Sequence, residues 1–252
     1  MSPPSRRLIG SAAVVLLGGS IVFAAAPVRA DEANCEVPPE LLQVEVKLPH
    51  LGERIRAHQP VTIVAIGGAS TIGAAAGSAD LAYPHRLQVA LASAYPDVSV
   101  NVVNKGVPRQ SAHQMLERFA TDVFAEDPVL VIWETGITDA VRGIEIDDFA
   151  GAVQDGIDEL KNRSVDTLLV DMQFSRKTIA LIDFDKYLST LHHLGEINDV
   201  YVFPRFEVMR YWSEQNTFNF DEVTPSERAD LAARVYDCLG RKLAGAIKRA
   251  LR

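Results

Sequence analysis

Cysteine is scarce in this sequence: among 252 residues there are two, Cys35 and Cys238. Neither lies among histidines, so a zinc site of the Cys/His kind is not expected, and no metal or cofactor is predicted. In an oxidising compartment the two thiols would form a disulfide that joins the first segment of the chain to the last predicted helix. The alternative is a pair of unrelated thiols.

Basic residues are also few. Lysine and arginine number 25 against 33 aspartates and glutamates, a formal net charge of −8. An acidic surface argues against a nucleic-acid partner and against binding to anionic lipid. Internal repeats and low-complexity segments are absent as well, and the chain length suits one domain with a sizeable core.

The N-terminus has the pattern of a secretory signal peptide. A basic start, MSPPSRR, precedes an apolar run over residues 8–26, and the small-x-small end Val28-Arg29-Ala30 follows. Cleavage near Ala30 would release an exported protein, periplasmic or secreted. The alternative is an uncleaved segment that anchors the chain, which would be its one contact with a membrane. The predicted divisions are a signal peptide at 1–30, an N-terminal arm at 31–59 and a domain at 60–252.

Apolar, β-rich runs alternate with segments of helical periodicity along the rest of the chain. The predicted strands cover 61–66, 98–103, 129–133, 167–171 and 200–203. The predicted helices cover 83–95, 111–125, 147–161, 184–194 and a long C-terminal segment. This alternation predicts an α/β fold, a three-layer α/β/α sandwich around a five-stranded parallel sheet. The functional site is then expected in the loops at the carboxyl ends of the strands.

Those loops contain motifs in a recognisable order. Residues 67–73 read GGASTIG, residues 104–106 read NKG, and residues 136–139 read GITD. In this order they resemble the Gly-Asp-Ser-x-x-x-Gly, Asn-x-Gly and Gly-x-Asn-Asp blocks of the SGNH/GDSL hydrolases. Segments 133–143, 172–173, 203–206 and 236–239 resemble an exported bacterial branch of that family. The resemblance implies a flavodoxin-like SGNH fold and acyl-ester hydrolysis.

The resemblance also assigns roles to positions, and several of them carry unexpected residues. The family uses a serine nucleophile, a histidine base held by an aspartate, and an oxyanion hole that includes a glycine N–H and an asparagine. Ala69 occupies the nucleophile position, and Thr138 occupies that of the oxyanion asparagine. Gly106 retains the oxyanion glycine.

The Asp-x-x-His pair of the family has no histidine counterpart here. Counting back without gaps from residues 236–239 places the pair on Glu227 and Asp230, and a looser placement uses Asp221 and Thr224. Glu227 has a structural explanation, because Thr-Pro-Ser-Glu at 224–227 reads as a capping box that starts the last helix. Asp230 would then lie near the start of that helix and favour its dipole.

Ser70 is the alternative nucleophile, one residue beyond the tip of the turn; otherwise it is a turn serine that bonds its own backbone. His113, His192 and His193 give no Ser–His–Asp arrangement of sound order and spacing. Polar residues near the strand ends could line a cleft for a polar ligand or form a surface ion-pair set: Arg109, Glu134, Asp139, Gln173 and Arg205. Ser70 and Thr71 are also predicted to line that cleft.

Two functions remain. The first is an exported protein of SGNH fold that has lost ester hydrolysis and acts as a binding or scaffolding protein in the cell envelope, with an acylated glycan or an envelope protein as partner. The second is a divergent esterase or acetyl-glycan deacylase that uses Ser70 as its nucleophile.

Overall fold

A computed structural model describes residue 1, residues 35–220 and residues 223–252. The predicted signal peptide, apart from Met1, and the looser placement on Asp221 lie outside the described residues. The described residues from Cys35 onward belong to one compact unit. Among residues 35–220 and 223–252, no helix has the length and apolarity needed to cross a membrane.

The sheet has five parallel strands in the order β2-β1-β3-β4-β5. This is the order of a flavodoxin-like doubly wound sheet, in which the first strand lies between the second and third. The predicted fold class is therefore confirmed. The strands are β1 Val61–Gly67, β2 Val100–Gly106, β3 Leu130–Glu134, β4 Asp166–Val170 and β5 Tyr201–Phe203.

Ten α-helices connect and cover the strands in the described residues. They are α1 Pro49–Arg56, α2 Ala69–Ile72, α3 Tyr83–Ala94, α4 Ala112–Leu116, α5 Ile137–Arg142, α6 Ile146–Asn162, α7 Arg176–Ile179, α8 Asp185–Asn198, α9 Arg205–Glu214 and α10 Arg228–Ala250.

Two hydrophobic clusters, one on each face of the sheet, join the sheet to its helical layers. Alternate residues of β1 divide between them: Ile63 belongs to the cluster shared with α1, α3 and α10, whereas Val64 belongs to the cluster shared with α4, α6 and α8. A strand directs successive side chains to opposite faces, so a β1 buried on both faces requires a helical layer on each side. The three-layer arrangement follows.

The described part of the N-terminal arm packs on the domain. Leu42, Leu48 and Leu51 are buried in the same hydrophobic cluster as α10. Cys35 and Cys238 form a disulfide, which confirms the predicted pairing and links the arm to α10. The boundary between arm and domain at residue 59 stays a prediction.

Two helix predictions differ from the structure. The single helix predicted over 111–125 is broken into α4, a π-helical turn Phe119–Val123 and a 3-10 turn Phe124–Glu126. The π-helical turn keeps Phe119 and Val123 buried, with the Phe119 ring 5.1 Å from that of Trp133. The last helix begins at Arg228 instead of within 224–227, although Glu227 does accept hydrogen bonds from the backbone and hydroxyl of Thr224.

Candidate functional site

The turn after β1 places two hydroxyl side chains inside the protein. Helix α2 begins at Ala69, which is exposed, while Ser70 and Thr71 are buried. Gly67 permits this sharp turn, since a Cβ there would lie 2.2 Å from the Thr71 hydroxyl oxygen. The position that the family resemblance assigns to the nucleophile therefore presents a methyl group, and the nearby serine hydroxyl points into the protein.

The end of β2 is fastened to the same turn. Asn104 donates from Nδ2 to the Thr71 carbonyl at 2.6 Å, and its Oδ1 accepts the Gly106 N–H at 3.0 Å. A Cβ on Gly106 would lie 2.4 Å from the backbone nitrogen of Ile72. The predicted oxyanion glycine thus packs against α2, and its N–H already has a partner.

Gly106→Ala is expected to lower the free energy of unfolding by about 1–3 kcal/mol, because the new methyl group would force two backbone segments apart. Gly151→Ala is the matched control: Gly151 lies in α6, where an added Cβ would meet no atom within 4 Å, so helix propensity should raise stability by about 0.5–1 kcal/mol. Urea unfolding of both variants measures the difference. Equal stability of Gly106→Ala and the parent would contradict the close approach.

A buried ion pair lies at the carboxyl ends of β3 and β5. Arg205, the first residue of α9, contacts Glu134, the last residue of β3, through Nη1 and Oε1 at 3.0 Å, and both side chains are less than 5 % exposed. Glu134 also accepts a 2.6 Å hydrogen bond from the Thr71 hydroxyl, which lies 3.1 Å from the Tyr83 hydroxyl. Glu134 and Arg205 thus form an ion pair, but it is buried and not part of a surface ion-pair set.

The same guanidinium holds Ser70. Arg205 Nη2 donates to Ser70 Oγ at 2.9 Å and to Gln173 Oε1 at 3.3 Å, and Ser70 Oγ itself donates to Gln173 Oε1 at 3.3 Å. The Tyr236 hydroxyl is hydrogen-bonded to Ser70, and burial raises the pKa of that phenol. We call Ser70, Thr71, Glu134, Gln173, Arg205 and Tyr236 the Arg205 cluster.

Histidines pair with carboxylates elsewhere. His192 Nε2 lies 3.0 Å from Asp171 Oδ2, and burial raises the pKa of Asp171, which also accepts the Phe206 N–H at 2.8 Å. His113 is exposed and lies 3.8 Å from the Glu117 carboxylate. Across the described part of the chain, the hydrogen-bond partners of the Ser70 hydroxyl include no imidazole.

The other predicted site residues have separate surroundings. Asp139 is buried, burial raises its pKa, and both carboxylate oxygens accept the Ala112 N–H at the start of α4. Arg109 is exposed and adopts a positive φ of 66°. Thr138 is half-buried in the first turn of α5. The structure thus brings Ser70, Thr71 and Gln173 together and gives Asp139 a helix-capping contact.

The two positions that replace the Asp-x-x-His pair lie at the start of the last helix. Glu227 is fully exposed, and hydrogen bonds from Thr224 lower the pKa of its carboxyl. Asp230 is exposed in the first turn of α10. Both residues occupy positions typical of a helix start, as the sequence suggested.

Sequence reasoning did not assign Tyr83 or Tyr236 to the site. Tyr83 begins α3 and Tyr236 lies midway along α10, so both look like ordinary apolar-face positions in the sequence. The Tyr83 hydroxyl contacts Thr71, and the Tyr236 hydroxyl contacts Ser70. Both contacts form because α3 and α10 cover the same face of the sheet. No local motif signals this.

A cavity of about 350 Å³ opens beside the cluster. Gln173, Arg205 and Tyr236 line it on the polar side. Another cavity, of about 800 Å³, is lined by residues of α1 and by segments 127–129 and 163–165, which lie at the opposite edge of the sheet. Ligands of doubly wound sheets bind at the carboxyl ends of the strands, so the smaller cavity is the better candidate. In residues 35–220 and 223–252 no group of carboxylates, histidines and cysteines could hold a metal ion.

A family model described as the non-GDSL lipase-like family matches residues 34–252. This chain belongs to the non-GDSL lipase-like family. Comparison with curated protein sequences gives no match.

Solved structures similar to this lipase-like chain include a G-D-S-L family protein and esterases that act on acetylated polysaccharides. One is a protein from Desulfitobacterium hafniense DCB-2 assigned to the G-D-S-L family of lipolytic proteins, with 19% identity, a TM-score of 0.55, and coverage of 74% of this chain and 99% of that one. Another is an acetylxylan esterase from Geobacillus stearothermophilus, with 19% identity, a TM-score of 0.56, and coverage of 76% and 94%.

A third structure is a two-domain esterase active on acetylated mannans, with 16% identity and a TM-score of 0.65. The matched region covers 81% of this chain and 55% of that one. At these identities the structures establish a common fold. The resemblance to SGNH hydrolases drawn from the loop motifs is confirmed at that level.

Proposed function

We propose that this lipase-like protein does not hydrolyse esters and instead acts as a binding or scaffolding protein in the cell envelope. The observation that supports this most directly is the environment of Ser70. Its hydroxyl is the nearest substitute for the nucleophile missing at Ala69, and it is held by Arg205, Gln173 and Tyr236.

None of these partners can act as the base that a serine nucleophile needs. A guanidinium stays protonated and has no acceptor, and an amide does not take up a proton at neutral pH. The Tyr236 phenol has a raised pKa because it is buried, so it retains its proton. Glu134 is bound to Arg205 and Thr71. Among the described residues, then, none of the hydrogen-bond partners of Ser70 can take its proton during attack on a carbonyl carbon, which supports the proposal.

Hydrogen-bond donors that could stabilise an oxyanion are also few at these positions. Thr138 offers a hydroxyl donor of shorter reach than an asparagine amide, and the Gly106 N–H is bound to Asn104. Loss of one oxyanion donor costs about 100- to 1,000-fold in turnover, and loss of a triad member costs more. Together these changes favour a role without ester hydrolysis.

The location and partner are part of the same proposal. A disulfide that ties the arm to the last helix is stable in an oxidising compartment, which supports export to the periplasm or beyond. The leader-like N-terminus adds to this. An acylated glycan or an envelope protein is the partner we propose, since the similar structures include esterases that act on acetylated polysaccharides.

Ester turnover by the purified, oxidised protein tests the proposal. With 4-nitrophenyl acetate and 4-nitrophenyl octanoate we expect rates equal to those of Ser70→Ala and of the buffer blank. Turnover that disappears in Ser70→Ala would overturn the proposal and favour the divergent esterase that uses Ser70. A melting curve of Ser70→Ala establishes that the variant is folded.

A further inference from the structure

We propose that the loop after β2 and the helix α5 form a docking face for an acidic segment of a protein partner, with Arg109 as the main contact. This inference rests on the proposed function, because it gives the binding role a class of partner. We call the exposed residues Val107, Arg109, Val141 and Arg142 the Arg109 face. The face lies at the carboxyl edge of the sheet beside the turn after β1, since the Val107 N–H donates to the Gly67 carbonyl at 2.8 Å.

The backbone of Arg109 has a conformation that sets it apart. Its φ of 66° lies in the left-handed region, which residues other than glycine rarely adopt. Arg109 lies in the loop between β2 and α4, away from any helix end. The other non-glycine residues with a positive φ in the described part of the chain all lie within two residues after a helix or helical turn, where this conformation is common: His58, Asp127, Ser164, Asp199 and Asn216.

The local sequence explains the turn but not the choice of arginine. Pro108 precedes Arg109, which is the order of a type II turn, and the third residue of such a turn has a positive φ and is usually glycine. An arginine at this position strains the backbone. Strained residues are concentrated at ligand-binding positions, where the surrounding structure holds them in place. We therefore infer that the Arg109 side chain is kept for recognition.

Neighbouring side chains hold the loop in this conformation. Arg142 donates from Nη2 to the Arg109 carbonyl at 2.7 Å. On the other side, Arg118 donates from Nη2 to the Lys105 carbonyl at 2.9 Å and from Nη1 to Gln110 Oε1. The exposed Arg109 guanidinium forms no hydrogen bond or ion pair with the described residues. A partner that binds a loop already held in place loses less conformational entropy.

Charge favours an acidic partner. The Arg142 hydrogen bonds go to neutral oxygens, so no carboxylate is ion-paired with it among the described residues. Three carboxylates lie on the adjoining elements: Asp139 is buried, Glu117 is 3.8 Å from a histidine on α4, and Glu145 is exposed before α6. Arg109 and Arg142 thus form a basic spot on a chain of net charge −8, and such a spot attracts negative charge.

The apolar part of the face favours a protein over a glycan. Val107 is 37% exposed and Val141 is 56% exposed. Sugars pack on exposed aromatic rings, and none of the large apolar residues exposed in residues 35–220 and 223–252 is aromatic. Interfaces between proteins combine apolar side chains with arginine, which is often the residue that contributes most to affinity. A segment with alternating acidic and aliphatic residues complements both parts of the face.

Two synthetic peptides test the proposal: acetyl-Leu-Glu-Leu-Asp-Leu-amide, and the neutral peptide in which Gln and Asn replace Glu and Asp. In NMR titrations of the oxidised protein, we expect the acidic peptide to bind with a dissociation constant of about 1 mM or lower and to shift the methyl resonances of Val107 and Val141. The neutral peptide should bind at least about fivefold more weakly. Equal affinities, shifts confined to other residues, or no binding of the acidic peptide up to about 10 mM would overturn the proposal.

Three variants separate recognition from a structural role. Arg109→Gly should weaken binding of the acidic peptide about tenfold, yet raise the urea midpoint by about 0.3 M because glycine relieves the strain. Arg109→Lys keeps the charge and should weaken binding by only about threefold. Arg56→Gln removes an exposed charge from α1 and should leave the affinity unchanged. Unchanged affinity in Arg109→Gly, or a lower urea midpoint, would show that Arg109 is not kept for recognition.

The ester assay separates this inference from the proposed function. Absence of both ester turnover and peptide binding would refute the Arg109 face and leave the non-hydrolysing role standing. Turnover of 4-nitrophenyl octanoate that depends on Ser70 would refute the non-hydrolysing role, whatever the affinity for the peptides.

Discussion

Replacing Arg205 with methionine is expected to lower the free energy of unfolding by about 3–5 kcal/mol, since it leaves one member of a buried ion pair without its partner. Glu134 would remain in a site where its side chain is 4% exposed, with the Thr71 hydroxyl as its surviving hydrogen-bond donor. Ser70 and Gln173 would lose the guanidinium that donates to both. Urea unfolding followed by circular dichroism measures the loss.

The double variant Glu134→Gln/Arg205→Met is the control. A neutral glutamine can still accept from Thr71 and leaves no uncompensated charge in the interior. We expect it to recover about 2 kcal/mol or more of the stability that Arg205→Met loses, because the isolated charge is the main cost. A single variant that loses less than about 1 kcal/mol, the scale of an exposed pair, would show that the ion pair is hydrated in solution.

Reduction of the Cys35–Cys238 disulfide is expected to destabilise the protein by about 5 kcal/mol in the chain-entropy account. The two cysteines are 203 residues apart in sequence, so the bond restricts nearly the whole unfolded chain. It also holds the arm, whose Leu42 and Leu48 are buried in the cluster that includes α10. With a reductant present, the urea midpoint should fall by about 2 M.

Cys35→Ala/Cys238→Ala provides the matched control. Its urea midpoint should equal that of the reduced parent and should not respond to the reductant. A parent protein whose midpoint is the same with and without reductant would contradict a stabilising role for the disulfide.

Local sequence pattern accounted for the main elements of the fold. The β-branched run that ends at Gly67 predicted β1, and the apolar residues before Glu134 predicted β3. Strand alternation and helical periodicity involve neighbouring residues, so they can be read without the tertiary structure. The helix at 205–214 was not predicted, because the segment Phe-Pro-Arg-Phe at 203–206 reads as the end of a strand and a turn.

The site was only partly predictable, because its contacts join residues that are far apart in the sequence. Ser70 and Gln173, which come from two of the predicted strand-end loops, are joined by a hydrogen bond, and Thr71 is bonded to Glu134. Asp139 also follows a strand, yet its carboxylate caps α4. A polar residue at a strand end can bond to any of several neighbouring loops, and one sequence does not specify which loop will be nearest.

The sequence by itself determined the alternation of strands and helices, the pair of cysteines, and the absence of a hydroxyl at residue 69. Only the tertiary structure decided that Arg205 would pair with Glu134 and hold Ser70. Those three side chains come from segments up to 135 residues apart. The parallel crossovers bring the segments to one edge of the sheet, where burial favours the pairing of opposite charges.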